Sequence, residues 1–189
     1  MPAWSPEIAN DLIRFAWLKN GHLDQRQLQQ LIYIAHGWFL ATHGVPLTSD
    51  RPVFGKYGPE YLLLTKALAG RGMDPLRDLI TNTAVYERRS GMDAKSAATS
   101  RMDQFEIDLL EEVFQSHEGY SAEQLSALTR GSDTAWNVMR CAGGEWGQII
   151  PDGLVRAQFL ELAGEPVSTI ETISEGAISQ ADGRKGPTA

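Results

Sequence analysis

Residues 31–44, LIYIAHGWFLATHG, run on through Pro46-Leu47 to residues 54–61, FGKYGPEY, and this stretch decides the fold. Leu28, Leu31, Ile32, Ala35 and Phe39 recur at the three-and-four spacing of one helical face, and Tyr33, Ile34 and Trp38 widen that face around much of the circumference. A helix that is apolar most of the way round belongs in the middle of a domain. Asp24 is its expected N-cap, and Gly44 followed by Pro46 its expected end. Gly37 beside Trp38 in mid-helix predicts a close approach by another element, with the indole packed against it.

Working outward, Ser5 is the expected cap of a first helix with Pro6 at its first position and Ile8, Leu12, Phe15 and Ala16 on one face, stopping at Asn20-Gly21. Pro46 and Pro52 make residues 45–57 extended. Gly58-Pro59 is read as restarting a helix, with Leu62, Leu63 and Ala67 inward and Gly70 and Gly72 closing it. A short helix is expected over 75–80, and Thr81 to Ser100 as an exposed, mobile loop with one short strand at Ala84 to Tyr86. In the second half, Met102, Phe105, Leu109 and Val113, widened by Ile107, Leu110 and Phe114, form a helix without Lys or Arg. Ser121 and Gln124 have capping-box spacing for the next helix, which runs through Leu125 and Leu128 to Gly131. A short one holds Thr134, Trp136 and Met139, and Asp152 caps a last one with Leu154, Val155, Phe159 and Leu162. The fold class is therefore mainly α: a single compact multi-helix domain, residues 1–164, with at most a short extended or β element. Residues 165–189, poor in aromatics and rich in Ser, Thr and Gly, are expected to form a flexible, disordered tail.

The 189 residues, 42% of them hydrophobic, suffice for one substantial core and are few for two domains. A net charge of -7 opposes non-specific binding to a polyanion, so nucleic acid is a disfavoured partner. The single Cys141 leaves no intramolecular disulfide, charges interrupt the N-terminal apolar residues, and no apolar run reaches the length of a membrane span. A cytoplasmic protein without membrane contact is expected.

Chemistry finds little footing. His36 and His43 lie seven apart on nearly one helical face, but two ligands do not make a zinc site without a third, and no Cys pair or HExxH supplies one. GxSxG and GxxxxGK[ST] are absent, and Cys141 at an expected helix end is read as a small apolar filler. The carboxylates between Asp103 and Glu112 read as a solvated acidic face, which could also meet a basic partner. No catalytic residue, cofactor or metal is expected.

Four ordered segments carry a resemblance. Gln30 to Ala41 (QLIYIAHGWFLA), Gly44 to Leu47 (GVPL) with Lys56 to Pro59 (KYGP), Gly119 to Thr129 (GYSAEQLSALT) and Thr134 to Trp136 (TAW) resemble the Panacea domain, the SocA-like antitoxin family of bacteria and phages, over about residues 7–140. The resemblance implies a non-enzymatic antitoxin that binds and neutralises a cognate toxin protein. Its namesake branch implies a proteolytic adaptor delivering the toxin to a ClpXP-type AAA+ protease, with the tail as a tether. His36 stands where glutamine is usual, Glu60 where an apolar residue is common, and Arg130 where histidine follows LT. Candidate partner-binding residues are Trp38, Lys56, Tyr57, Gly58, Pro59 and Glu60. All but Glu60 also have a structural reading: Trp38 as packing beside Gly37, Gly58 and Pro59 as a turn, Lys56 and Tyr57 as support. Two alternatives stay open: a small cytosolic hydrolase using His36 and His43, and a DNA-binding autoregulator using Arg88, Arg89, Lys95 and Arg101.

Overall fold

A computed structural model describes residues 2–82 and 96–164. Helices α1 (Ser5–Leu18) and α2 (Gln25–His43) lead into a hairpin of β1 (Val53–Gly55) and β2 (Gly58–Glu60), followed by α3 (Leu62–Ala67). Then come α4 (Gln104–Ser116), α5 (Ala122–Thr129), α6 (Ala135–Cys141) and α7 (Asp152–Leu162). The domain is mainly α, as the periodicity predicts.

Its axis is α2, in which thirteen of nineteen residues are buried. Asp24 starts it through a reciprocal capping box with Gln27, and Gly44, at φ 69°, ends it in the left-handed region that costs glycine little. Around it pack α7, α5, α4 and α1. A Cβ on Gly37 would sit 2.1 Å from the Phe159 ring, so the glycine is what lets α7 close on α2. Trp38 packs edge-on against the same ring at 5.3 Å.

Several boundaries differ from expectation for local reasons. Pro59 does not open a helix: Gly58, Pro59 and Glu60 form β2, antiparallel to β1, and α3 begins only at Leu62. In a hairpin closed by Gly55 and Gly58 the next pair, Phe54 opposite Pro59, is not a hydrogen-bonded one, so the missing proline N–H is not needed. Phe54 turns its backbone groups the other way, donating to Gln148 O at 2.7 Å and accepting from Gly147 N at 2.9 Å. Residues 75–80 form no helix. Leu76 N donates to Leu23 O, and Ile80 is fixed by the buried Asn10, whose amide also donates to Ala98 O at 2.8 Å. The ends of the expected loop pair through a bridge between Thr81 and Ala97, while the strand expected at Ala84 to Tyr86 lies outside the described residues, as does the tail. Trp4, not Ser5, is the N-cap of α1, because Ser5 turns its hydroxyl to Asp50. Pro151 likewise precedes α7 where Asp152 was expected to cap. Phe105 is exposed, and α4 buries Leu110, Val113 and Phe114 instead. Cys141 ends α6 as expected but is exposed, so it fills no core.

Candidate partner-binding site

The hairpin is short, and side chains from three separated helices hold it. From α2, Gln29 Oε1 accepts from Tyr61 N at 2.6 Å, and Gln30 Nε2 donates to Pro59 O at 3.3 Å. From α5, Thr129 donates to Gln30 Oε1 at 2.5 Å and the Ser126 hydroxyl donates to Tyr57 O. From α6, the Trp136 indole donates to Gly55 O at 2.8 Å. Buried amide and hydroxyl side chains thus satisfy backbone groups that a two-stranded ribbon cannot pair for itself. Gly58 is required here: its φ is 127°, and a Cβ would meet Gln30 Oε1 at 2.7 Å and Thr129 Oγ1 at 3.0 Å.

What this cradle presents is its tip. Lys56 and Tyr57 project outward, Tyr57 being 46% exposed although its backbone is fixed. The Arg26 guanidinium and the Lys56 ammonium each lie 5.2 Å from the Tyr57 ring centroid, an arrangement stabilised by the ring's negative face. Arg26 is also paired with Glu123 at 2.8 Å. Beside the tip, Arg130 sits 5.7 Å above the Trp136 ring, which packs on Phe54. Phe54 in turn stacks on Trp146, with centroids 4.7 Å apart, and Trp146 is 65% exposed. On a chain of net charge -7 this is a local cationic and aromatic face.

Of the six candidate residues, five share the hairpin in different roles. Lys56 and Tyr57 are exposed, Gly58 and Pro59 are buried support, and half-buried Glu60 packs its side chain across Gly55, where a Cβ would be 2.5 Å away. Burial raises the Glu60 carboxyl above its ordinary pKa. Trp38 is elsewhere. It lines a groove of about 560 Å³ among α2, α4, α5 and α7, together with Leu109, Val113, Leu128, Phe159 and Leu162. His36 and His43 are not brought together: His36 is fully buried with Nδ1 3.0 Å from Thr48 Oγ1, whereas His43 is exposed, stacked on Phe39 at 4.6 Å. Among the described residues no group of three or more His, Cys, Asp or Glu could hold a metal ion. Arg88, Arg89 and Lys95 lie outside the described residues.

The residues that build the cradle are those of the four ordered motifs, and the family described as Antitoxin SocA-like, Panacea domain, matches residues 28–137, more than half of the chain. The chain belongs to this antitoxin-like family. No curated protein and no solved structure matches it. The departures from the Panacea pattern acquire places: His36 is an interior residue, Glu60 covers Gly55, and Arg130 is exposed on the aromatic face, with Nε donating to Ser126 O at 3.2 Å. Sequence reasoning missed Trp146, which lies beyond the Panacea-matched segment among glycines and reads as a plain loop residue. It also missed Arg26, and the groove, whose walls come from four segments distant in sequence. No helix among the described residues is long and apolar enough to cross a membrane.

Proposed function

We propose that this chain is the antitoxin of a toxin–antitoxin pair, a cytoplasmic, non-enzymatic protein that neutralises a cognate protein toxin by stoichiometric capture. The observation that carries this reading is the convergence of three motif segments on the hairpin that the fourth forms. The buried Gln30, Ser126 and Trp136 of these segments, with the neighbouring Gln29, bond hairpin backbone, Thr129 holds Gln30, and what they hold forward is Lys56 and Tyr57. A rigid Tyr flanked by cations suits a protein interface, because it offers large area and a polar tip with little entropy left to lose. The face also has positive charge to complement an acidic patch on a toxin.

Delivery of the captured toxin to a ClpXP-type AAA+ protease is a compatible second step, with residues 165–189 as the tether. The deciding experiment co-expresses the chain with the product of the adjacent gene, scoring growth and co-purification in cells with and without the protease. Capture predicts rescue and a stable complex in both strains, with the double variant Lys56→Ser/Tyr57→Ser losing rescue and at least tenfold in affinity while its circular dichroism is unchanged. Full rescue by that variant would remove the hairpin tip from the mechanism. Toxin loss confined to the protease-positive strain would favour delivery.

A further inference from the structure

The groove that holds Trp38 encloses about 560 Å³ and shares only Thr129 with the cradle. Its floor is Ile34, Val113 and Phe159, all nearly fully buried, and two leucines stand at its lips: Leu128 on α5, 49% exposed, and Leu162 on α7, 64% exposed. A concave apolar strip with protruding apolar lips is the form that receives the apolar face of a helix. Its walls have the matching length: α4 has 13 residues and α7 has 11, so each is roughly 15–20 Å long at 1.5 Å per residue, or about three turns of a guest helix.

Charge decides what kind of helix. The α4 wall carries Glu106, Asp108, Glu111 and Glu112 and no Lys or Arg, and Glu112 lines the groove itself without an ion-pair partner among the described residues. A second copy of this chain meeting the groove about a two-fold axis would bring its own acidic α4 to that wall. The chain's own residues 165–189 are a poor match as well, because Glu165, Glu171, Glu175 and Asp182 all precede the first bases, Arg184 and Lys185. We propose that the groove among α2, α4, α5 and α7 docks a basic amphipathic helix of the toxin, about three turns long, with its apolar stripe between Leu128 and Leu162 and a Lys or Arg against Glu112. This rests on the antitoxin reading for the partner's identity, but the groove's preference can be measured without a toxin.

The test uses the full chain and two labelled 14-residue helical peptides with the same Leu stripe, one flanked by Lys and its twin by Glu, followed by fluorescence anisotropy. The Lys peptide should bind at least tenfold tighter than its twin, Leu128→Asp should abolish binding, and Glu112→Lys should reverse the preference. Leu128 and Glu112 are both solvent-exposed, so neither substitution should unfold the domain. Tyr57→Ser should leave peptide binding unchanged while weakening capture of the adjacent gene product, which separates the groove from the hairpin. Equal binding of both peptides, no effect of Leu128→Asp, a wild-type dimer that Leu128→Asp dissolves, or binding that appears only after residues 165–189 are removed would each overturn the proposal. A peptide result as expected with no toxin captured would fault the antitoxin reading instead.

Discussion

His36 shows how much one buried ring decides. Burial first, and the positive charge of Arg51 second, lower its pKa to about 4 from 6.5. Its Nε2 has no partner among the described residues, so a proton there would place a charge in the interior with nothing to receive it. The linkage follows directly: between pH 6.5 and about 4 the unfolded chain binds a proton at this position and the folded chain does not, so stability rises with pH across that window. The contribution is full above the unfolded value and is lost as pH falls towards 4, amounting to up to about 3 kcal/mol at 1.36 kcal/mol per pKa shift of one. Asp50 and Glu60, whose carboxyls burial raises, act with the opposite sign, so wild type alone will not display the slope cleanly. His36→Gln can keep a bond to Thr48 without titrating. Urea midpoints at pH 7 and pH 4.5 should therefore show a larger acid loss in wild type than in His36→Gln; parallel losses would mean that His36 is not held neutral by the fold.

At the scale of elements, the hairpin shows where local sequence and tertiary context part company. The glycines and Pro46 that end α2, the capping boxes at Asp24 and Ser121, and the 3.6-residue periodicity are local signals, and the helices appear where those signals put them. GKYGPEY carries the same local signal for a helix start, yet it folds as a turn and strand, because its backbone is claimed by Gln29, Gln30, Ser126 and Trp136 from three other elements, with Thr129 holding Gln30 in place. Those partners lie from 29 to 81 positions away in the chain, beyond any window on which propensity operates. The candidate site was legible as residue identities, Lys56 and Tyr57 above all, but the separation of Trp38 into a groove was not, since no spacing rule relates α2 to α7. Gly58→Ala tests the claim that the cradle sets the hairpin. It forces a non-glycine residue to φ 127° and drives a methyl against Gln30 Oε1, so it should destabilise the domain by about 1–3 kcal/mol, read as a lowered urea midpoint. Tyr57→Ser, one position earlier, should leave that midpoint within about 0.5 kcal/mol because its side chain is on the surface. A Gly58→Ala variant as stable as wild type would show that the cradle tolerates another backbone path.

For the whole molecule the two surfaces differ in sign, and that difference constrains how one toxin could be held. The hairpin face gathers Arg26, Lys56 and Arg130 around aromatic rings, whereas α4 carries four carboxylates, Glu112 among them in the groove, and no Lys or Arg. Helix α5 joins them physically: Ser126 and Thr129 hold the hairpin, while Leu128 and Thr129 line the groove. A toxin that engaged both would meet one continuous body with opposite charges on its two patches, which fixes orientation as well as affinity. Both surfaces are built from residues before 165, so capture and any delivery to a protease are separable by truncation after Gly164. The 1–164 chain should bind the adjacent gene product with affinity within about twofold of the full chain, because an interface keeps its energy when residues outside it are removed. If the tail is a protease tether, the toxin's half-life in protease-positive cells should lengthen at least severalfold on truncation while co-purification is unchanged. Unaltered degradation would assign delivery to the folded domain or to the toxin itself, and weakened capture would place the tail within the interface.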